Sequence, residues 1–283
     1  MAEAAEATIL VTGATDGLGR SVAQALAAKG ATVLLHGRNM ERLQAVLDGV
    51  REETGNEKLR YYLADLSSLE SARDLAERIL SDEDRLEVLI NNAGIIVQKR
   101  KESEDGHELT FAVNYLSHFL LTRLLLPLLK DSAPARIVNV ASAGQIPLDF
   151  SNLMLEHGYD AMKAYSQSKL AQVMFTFKFA EHLQGTGVTV NALHPASLMD
   201  TKMVQSTFGY TMSTVEEGTE AVVRLAISEE VEGVTGAYFV GTREARANRQ
   251  AYEPQARDRL WVLSEELCGH LLEPIVRGSE GTR

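Results

Sequence analysis

The sequence predicts an α/β fold: one doubly wound domain with a seven-stranded, mainly parallel sheet and helices on both faces. Three observations predict it. Short β-branched runs alternate with longer helical patterns along the chain. Several of those short runs are apolar nearly throughout, as strands covered on both faces must be. No proline- or serine-rich linker and no repeat breaks the alternation, so residues 1–283 read as a single domain.

The elements follow in order. Strands are expected at Thr8–Thr12, Thr32–His36, Leu59–Ala64, Val88–Asn91, Arg136–Ala141, Val188–His194 and Ala237–Val240. Helices are expected between them at Gly19–Ala28, Met40–Glu53, Leu69–Leu80, Gly106–Leu129, Ala161–Leu183 and Val215–Ala226. Gly30 stops the first helix, and Gly185 and Gly187 close the fifth. Two segments fall outside the alternation and read as substrate-pocket loops, 145–160 and 196–214. In such a sheet both hang over the carboxyl ends of the strands, where ligands bind. They carry Ile146, Leu148, Phe150, Leu153, Met154, Leu198, Met199 and Met203, which predicts a pocket for a fairly apolar molecule. The tail, 252–273, places Leu260, Trp261, Leu263, Leu267 and Leu271 at helical spacing and is expected to pack on the body.

Composition narrows the function. A 45% apolar and 24% charged chain is an ordinary soluble globular protein. A formal net charge of -11 argues against nucleic acid as a partner. The single cysteine, Cys268, excludes an intrachain disulfide and a cysteine zinc cluster, and no His/Asp/Glu cluster has metal-ligand spacing. The start, Met1 to Glu6, lacks the layout of a signal peptide. No run approaches the roughly 18 apolar residues of a membrane span. The stretch Phe119 to Leu129 is broken by Arg123 and Pro127 and reads as a core helix. A cytoplasmic protein without a membrane partner is expected.

Between the first strand and helix lies Thr12-Gly13-Ala14-Thr15-Asp16-Gly17-Leu18-Gly19. Gly13, Gly17 and Gly19 let the backbone turn sharply and approach a pyrophosphate, and the helix that starts there offers unpaired amides. A strand before and a helix after are the context such a turn needs. Dinucleotide sites commonly place an acid after the second strand, but here the run is His36-Gly37-Arg38-Asn39, with no carboxylate until Glu41. Arg38 can grip a 2′-phosphate bidentately, which favours NADP (as NADPH when reduced). Asp16 adds a negative charge that Arg20 can offset, and it keeps NAD open.

Tyr165 and Lys169 stand at i, i+4 on one helix face. A tyrosine titrates near ~10 and is a poor base at neutral pH, but a neighbouring ammonium lowers that value. The pair suits moving a proton at an alcohol or carbonyl. His36, His118 and His194 are expected to be satisfied structural histidines.

Together these residues resemble the short-chain dehydrogenase/reductase family over most of the chain. The glycine turn resembles its Thr-Gly-x-x-x-Gly-x-Gly, Asn91-Asn92-Ala93-Gly94 its Asn-Asn-Ala-Gly, and Asn114, Ser142, Tyr165 and Lys169 stand in the order of its catalytic tetrad. A single Tyr-x-x-x-Lys is common by chance; the ordered set is specific. The resemblance implies a single Rossmann-type domain. It also implies cofactor contacts at Thr15, Asp16 and Leu18 in the turn, at Asp65 and Leu66 after the third strand, across Asn91 to Gly94, and at Pro195 and Thr201. Tyr165 would be the general acid/base, Ser142 would hold the substrate oxygen, Lys169 would also bind the nicotinamide ribose, and Asn114 would anchor a water leading to Lys169.

Two departures mark the chain. Pro195-Ala196 stands where the family has Pro-Gly, and more residues than usual separate Ser142 from Tyr165. With Arg38 and the tail Arg259-Leu260-Trp261, that insertion resembles the retinol-dehydrogenase-like branch and its soluble bacterial relatives. The expected activity is NADP-dependent hydride transfer at the alcohol or carbonyl carbon of a fairly apolar small molecule. The alternatives are an NAD-preferring dehydrogenase, a sugar-nucleotide epimerase, whose chains are usually longer, and a non-catalytic dinucleotide sensor. Sensors commonly lose the tyrosine or the lysine; both are kept here. The family also assembles into homodimers or homotetramers through the helices that would be Gly106–Leu129 and Ala161–Leu183. Burial in a monomer explains their apolar content equally well.

Overall fold

Eight strands share one sheet in the order β3-β2-β1-β4-β5-β6-β7-β8. They are β1 (Thr8–Val11), β2 (Thr32–Gly37), β3 (Leu59–Leu63), β4 (Val88–Asn91), β5 (Ala135–Val140), β6 (Val188–His194), β7 (Tyr238–Val240) and β8 (Arg243–Glu244). All pairings are parallel except β7 with β8. The computed structural model describes residues 4–275. The strand beyond the seven expected is β8; at two residues it is too short to leave an alternation in the sequence. The order reverses between β1 and β4, and this reversal opens a crevice at their carboxyl ends.

Strand side chains alternate between two cores. Ile9, Val11, Val33, Leu35, Val88 and Ile90 face α1 (Gly17–Ala28), α2 (Met40–Thr54) and α8 (Val215–Ile227). Leu10, Leu34, Leu89 and Ile137 face the other side, under α3 (Leu69–Asp82), α5 (Ser117–Asp131) and α6 (Ala161–His182). Every residue of β1, β4 and β5 is buried, as strands covered on both faces require.

The helix expected from Gly106 begins at Leu109, because the buried carboxylate of Glu108 accepts from the amides of Thr110 at 2.9 Å and Phe111 at 2.7 Å. It runs as α4 (Leu109–Phe111), a π-helical turn (Ala112–Leu116) and α5. By length and apolarity Leu109–Asp131 could cross a membrane, but 83% of its most apolar window is buried inside this fold. It is a core helix.

The tail forms α9 (Pro254–Cys268), laid over α5 and α6. Trp261 packs its ring 5.3 Å from Phe119 and 5.9 Å from Phe179, with the Arg123 guanidinium 4.9 Å from the indole. Tyr115 Oη and Ser264 Oγ lie 2.7 Å apart, and Lys178 pairs with Asp258 at 2.7 Å. Cys268, the last residue of α9, is buried, and burial pushes its thiol up to about 12.

The segments outside the alternation behave differently from each other. In 145–160, Leu148, Leu153 and Leu155 are buried, and the Leu148 and Asp149 amides donate to the side chains of Gln250 and Gln167. In 196–214 the chain makes a short helix, α7 (Lys202–Phe208), capped by Thr201, whose hydroxyl accepts from the Val204 amide.

Candidate active site

The glycine turn is built against the start of the next crossover. Thr12 Oγ1 accepts from the amides of Asn92 at 2.8 Å and Ala93 at 3.0 Å, and Asn92 Nδ2 donates to the Thr12 carbonyl at 2.8 Å. A Cβ on Gly13, whose φ is +66°, would stand 2.9 Å from Ala93 Cα, and one on Gly19 would collide with the Gly13 carbonyl. Asp16 caps α1 by accepting from the Gly17 amide at 2.9 Å. The result is a backbone-lined slot beside the N-terminus of α1, which fits a dinucleotide pyrophosphate.

From this slot a cavity of about 580 Å³ spreads along the crevice. Its walls are Gly13, Thr15, Asp16, Gly17, Leu18 and Gly19 of the turn, Arg38 after β2, and Asp65 and Leu66 after β3. Asn92, Ala93 and Gly94 follow from β4, Ser142 from β5, Tyr165 and Lys169 from α6, and Pro195 and Thr201 from β6. Two expected site residues do not line it. Asn91 points to the opposite face of the sheet from Asn92, where its Nδ2 donates to Thr122 Oγ1 at 2.9 Å and Asn139 Oδ1 at 2.8 Å. Asn114 sits behind the wall: a Cβ on Gly94 would lie 3.5 Å from Asn114 Oδ1 and 3.6 Å from Lys169 Nζ. Among the described residues none between 145 and 160 lines the cavity; Gly144 and Met162 do, together with Met199, Met203, Val204 and Phe208.

Sequence reasoning also missed Arg42, in the first turn of α2, and Ile95 and Ile96 after the Asn-Asn-Ala-Gly run. The Arg38 to Arg42 spacing was legible. The apolar pair was not, since it carries no motif.

At the centre Ser142 Oγ accepts from the Gly144 amide at 3.1 Å and acts on the Tyr165 phenol, whose pKa it lowers. The Ser142 carbonyl accepts from Tyr238 Oη at 3.0 Å and Gln145 Nε2 at 2.6 Å, so β7 braces the serine. Lys169 Nζ lies 5.7 Å from the centre of the Tyr165 ring and donates to the Val140 carbonyl at 2.8 Å and to Gln172 Oε1 at 2.9 Å. Asn114 lies in the π-helical turn, a distortion that recurs at functional sites. Its amide oxygen accepts from the Ile95 amide at 2.8 Å, and its Nδ2 donates to the Ile95 carbonyl at 3.1 Å and Ser168 Oγ at 3.0 Å.

Burial governs the titration of the pair. It pushes the Tyr165 phenol above its ordinary value, opposed by the Ser142 hydrogen bond, and pushes Lys169 down to about 7. Burial thus raises Tyr165 where the sequence predicts a lowering by the ammonium.

The histidines find partners. His36 Nδ1 accepts from the Gly13 amide at 3.2 Å while Nε2 faces the Ala64 carbonyl at 3.2 Å, and burial holds its pKa at about 4. His118 is held at about 3, mainly by burial. His194, beside Ser197 Oγ at 3.1 Å, lines the cavity and is likewise shifted down by burial. Two residues after Ala196, Leu198 takes a strained left-handed backbone with φ 45°. Among the described residues no group of three or more His, Cys, Asp or Glu is placed to hold a metal ion.

A sequence profile described as short chain dehydrogenase matches residues 7–209. Mouse retinol dehydrogenase 13 is 39% identical over 279 residues, covering 93% of this chain and 84% of the relative. Human retinol dehydrogenase 14 is also 39% identical, covering 93% and 87%. A short chain dehydrogenase of Shigella flexneri solved with NADP has a TM-score of 0.70 at 29% identity, over 84% of this chain and 98% of that one. An uncharacterized protein of Mycobacterium paratuberculosis has a TM-score of 0.77 at 28% identity, over 93% of both.

Proposed function

The chain belongs to the short-chain dehydrogenase family, in its retinol-dehydrogenase-like branch, and from that premise we propose an NADP-dependent oxidoreductase acting at the alcohol or carbonyl carbon of a fairly apolar substrate. One observation carries the reading. A single cavity has two arginines, Arg38 and Arg42, at one end and Tyr165 with Ser142 and Lys169 at the other. Cationic donors at the adenosine end suit a 2′-phosphate. Asp16, the residue that could favour NAD, is paired with Lys202 at 2.7 Å, which offsets its charge. The neighbours from Shigella flexneri, Escherichia coli and Pseudomonas aeruginosa solved with NADP or NADPH support the same choice.

When bound, the nicotinamide supplies or accepts hydride. This chain's residues supply the rest. Ser142, fixed from behind by Tyr238 and Gln145, holds the substrate oxygen beside the phenol. In reduction Tyr165 donates its proton to the oxygen of the developing alcohol, and in oxidation it takes that proton. The phenol, raised further by burial, is protonated at neutral pH and so is ready to donate when the carbonyl is reduced. Lys169 compensates the charge left on the phenol. Ile95, Ile96, Met162, Met199 and Phe208 give an apolar wall suited to a long hydrocarbon.

The test is fluorescence titration with NADPH and NADH, followed by turnover of decanal and all-trans-retinaldehyde with the tighter cofactor. Tight NADPH with weak NADH, and reduction of either aldehyde, is expected. Preference for NADH, or turnover of polar aldehydes only, would overturn the reading.

A further inference from the structure

We propose that Gln172 is a positioning residue of the proton-transfer centre: its amide oxygen keeps Lys169 charged and aimed at Tyr165. The proposal rests on the catalytic roles given above to Tyr165 and Lys169. Lys169 is 4% exposed, so water does little to stabilise its charge. Its ammonium has donors only and needs acceptors around it. The Val140 carbonyl, 2.8 Å away, is one, and Gln172 Oε1, 2.9 Å away and one helical turn on, is the other. Gln172 is itself 1% exposed. No motif marks it.

The orientation of this amide is fixed by chemistry. Because the ammonium can only donate, Gln172 must turn its oxygen to Lys169, which leaves Nε2 facing His118 Nδ1 at 3.2 Å. That nitrogen also lies 3.1 Å from the Asn114 carbonyl and can serve only one of the two. By accepting from Gln172 it leaves the Asn114 carbonyl open to another donor and directs its own proton, on Nε2, toward Thr12 Oγ1 at 3.4 Å. One side chain thus joins the lysine to His118 and, through it, to the threonine that opens the glycine turn.

The titratable groups near this centre are few. Tyr165 lies on the same helix, His118 faces Lys169 from α5, and Tyr238 on β7 is raised in part by Tyr165. The charged residues where α6 meets α9, Lys178 and Glu181, begin nine positions along, about 13 Å away by helical rise. Among the described residues no carboxylate acts on the ammonium in competition with Gln172.

The experiment follows Lys169 directly, without cofactor or substrate. The protein is labelled with ¹³C-lysine, and the Lys169 signal is identified as the one lost in Lys169→Met. Its titration midpoint is then compared in wild type, Gln172→Leu and Gln172→Glu, with circular dichroism melts confirming folding. Removing a hydrogen bond to a charged group should lower the midpoint by about one pH unit in Gln172→Leu. A carboxylate in the same place should raise it by at least as much in Gln172→Glu. The alkaline limb of aldehyde reduction should move the same way in each variant. Midpoints within 0.3 unit (~0.4 kcal/mol) of wild type in both folded variants would overturn the proposal. Opposite shifts in a protein that turns over no aldehyde would support the Gln172 contact and count against the oxidoreductase reading instead.

Discussion

Lys202 Nζ lies 2.7 Å from Asp16 Oδ2, so the first residue of α7 is tied across the cavity mouth to the residue that caps α1. The same contact is the main cause that holds the Asp16 carboxyl below its usual value. Beneath it Gly17 packs on Thr201, whose Cγ2 would stand 3.2 Å from a Cβ there. The pair bridges the slot assigned to the pyrophosphate, and Lys202 is 80% exposed, so its contribution is that of a surface ion pair.

Lys202→Gln should therefore weaken NADPH binding by about two- to fivefold, with the loss shrinking at high salt. Stopped-flow release of NADPH at two ionic strengths checks it. An unchanged release rate would mean that α7 is held by its packing alone.

Arg38 and Arg42 are expected to act together on the 2′-phosphate. Arg38→Ala should weaken NADPH by about 10- to 100-fold and leave NADH within twofold, the size of a lost charge-assisted contact. Arg42→Ala should do the same to a smaller degree. Equal losses for both cofactors would place the arginines away from the phosphate.

The buried histidines predict a loss of stability in acid. His36 and His118 have folded values of about 4 and about 3, below the unfolded value near 6.5. The unfolded chain therefore binds protons first as pH falls. Stability from these groups is complete above pH 6.5 and drains away toward their folded values, by about 1.4 kcal/mol each at pH 5.5. Urea unfolding at pH 7.5 and 5.5 measures it, and His36→Asn should reduce the difference by about 1.4 kcal/mol.

Trp261 anchors α9 to α5 and α6 among Phe119, Phe175 and Phe179. Trp261→Ala should cost about 2–3 kcal/mol in urea unfolding, somewhat under the range for a fully buried tryptophan. Since α9 occupies this face, copies of the chain should not meet through α5 and α6. Cross-links joining α6 of one copy to α6 of another would contradict that.

Most of the crevice was legible because it is written in glycines and in ordered motifs. Gly13, Gly19 and the Asn92 to Gly94 run sit where backbone approaches backbone, and that demand leaves a residue pattern. Asn91 shows the limit: adjacent asparagines on a strand point to opposite faces, and composition does not say which one meets the cavity. The apolar residues of 145–160 were ambiguous for a related reason. Leu148 and Leu153 satisfy burial equally as pocket wall or as core, and tertiary packing took them into the core. α7 was hidden by its seven-residue length, and Gln172 by being an ordinary helical glutamine until Lys169 is placed beside it.

The most direct test of the account is Tyr165→Phe, measured for NADPH binding and for reduction of whichever aldehyde the wild type turns over. The substitution removes the hydroxyl and keeps the ring, so NADPH affinity should stay within about threefold while turnover falls by about 10²- to 10⁴-fold. Turnover within tenfold of wild type, with NADPH still bound, would show that the proton comes from elsewhere and would contradict the central claim.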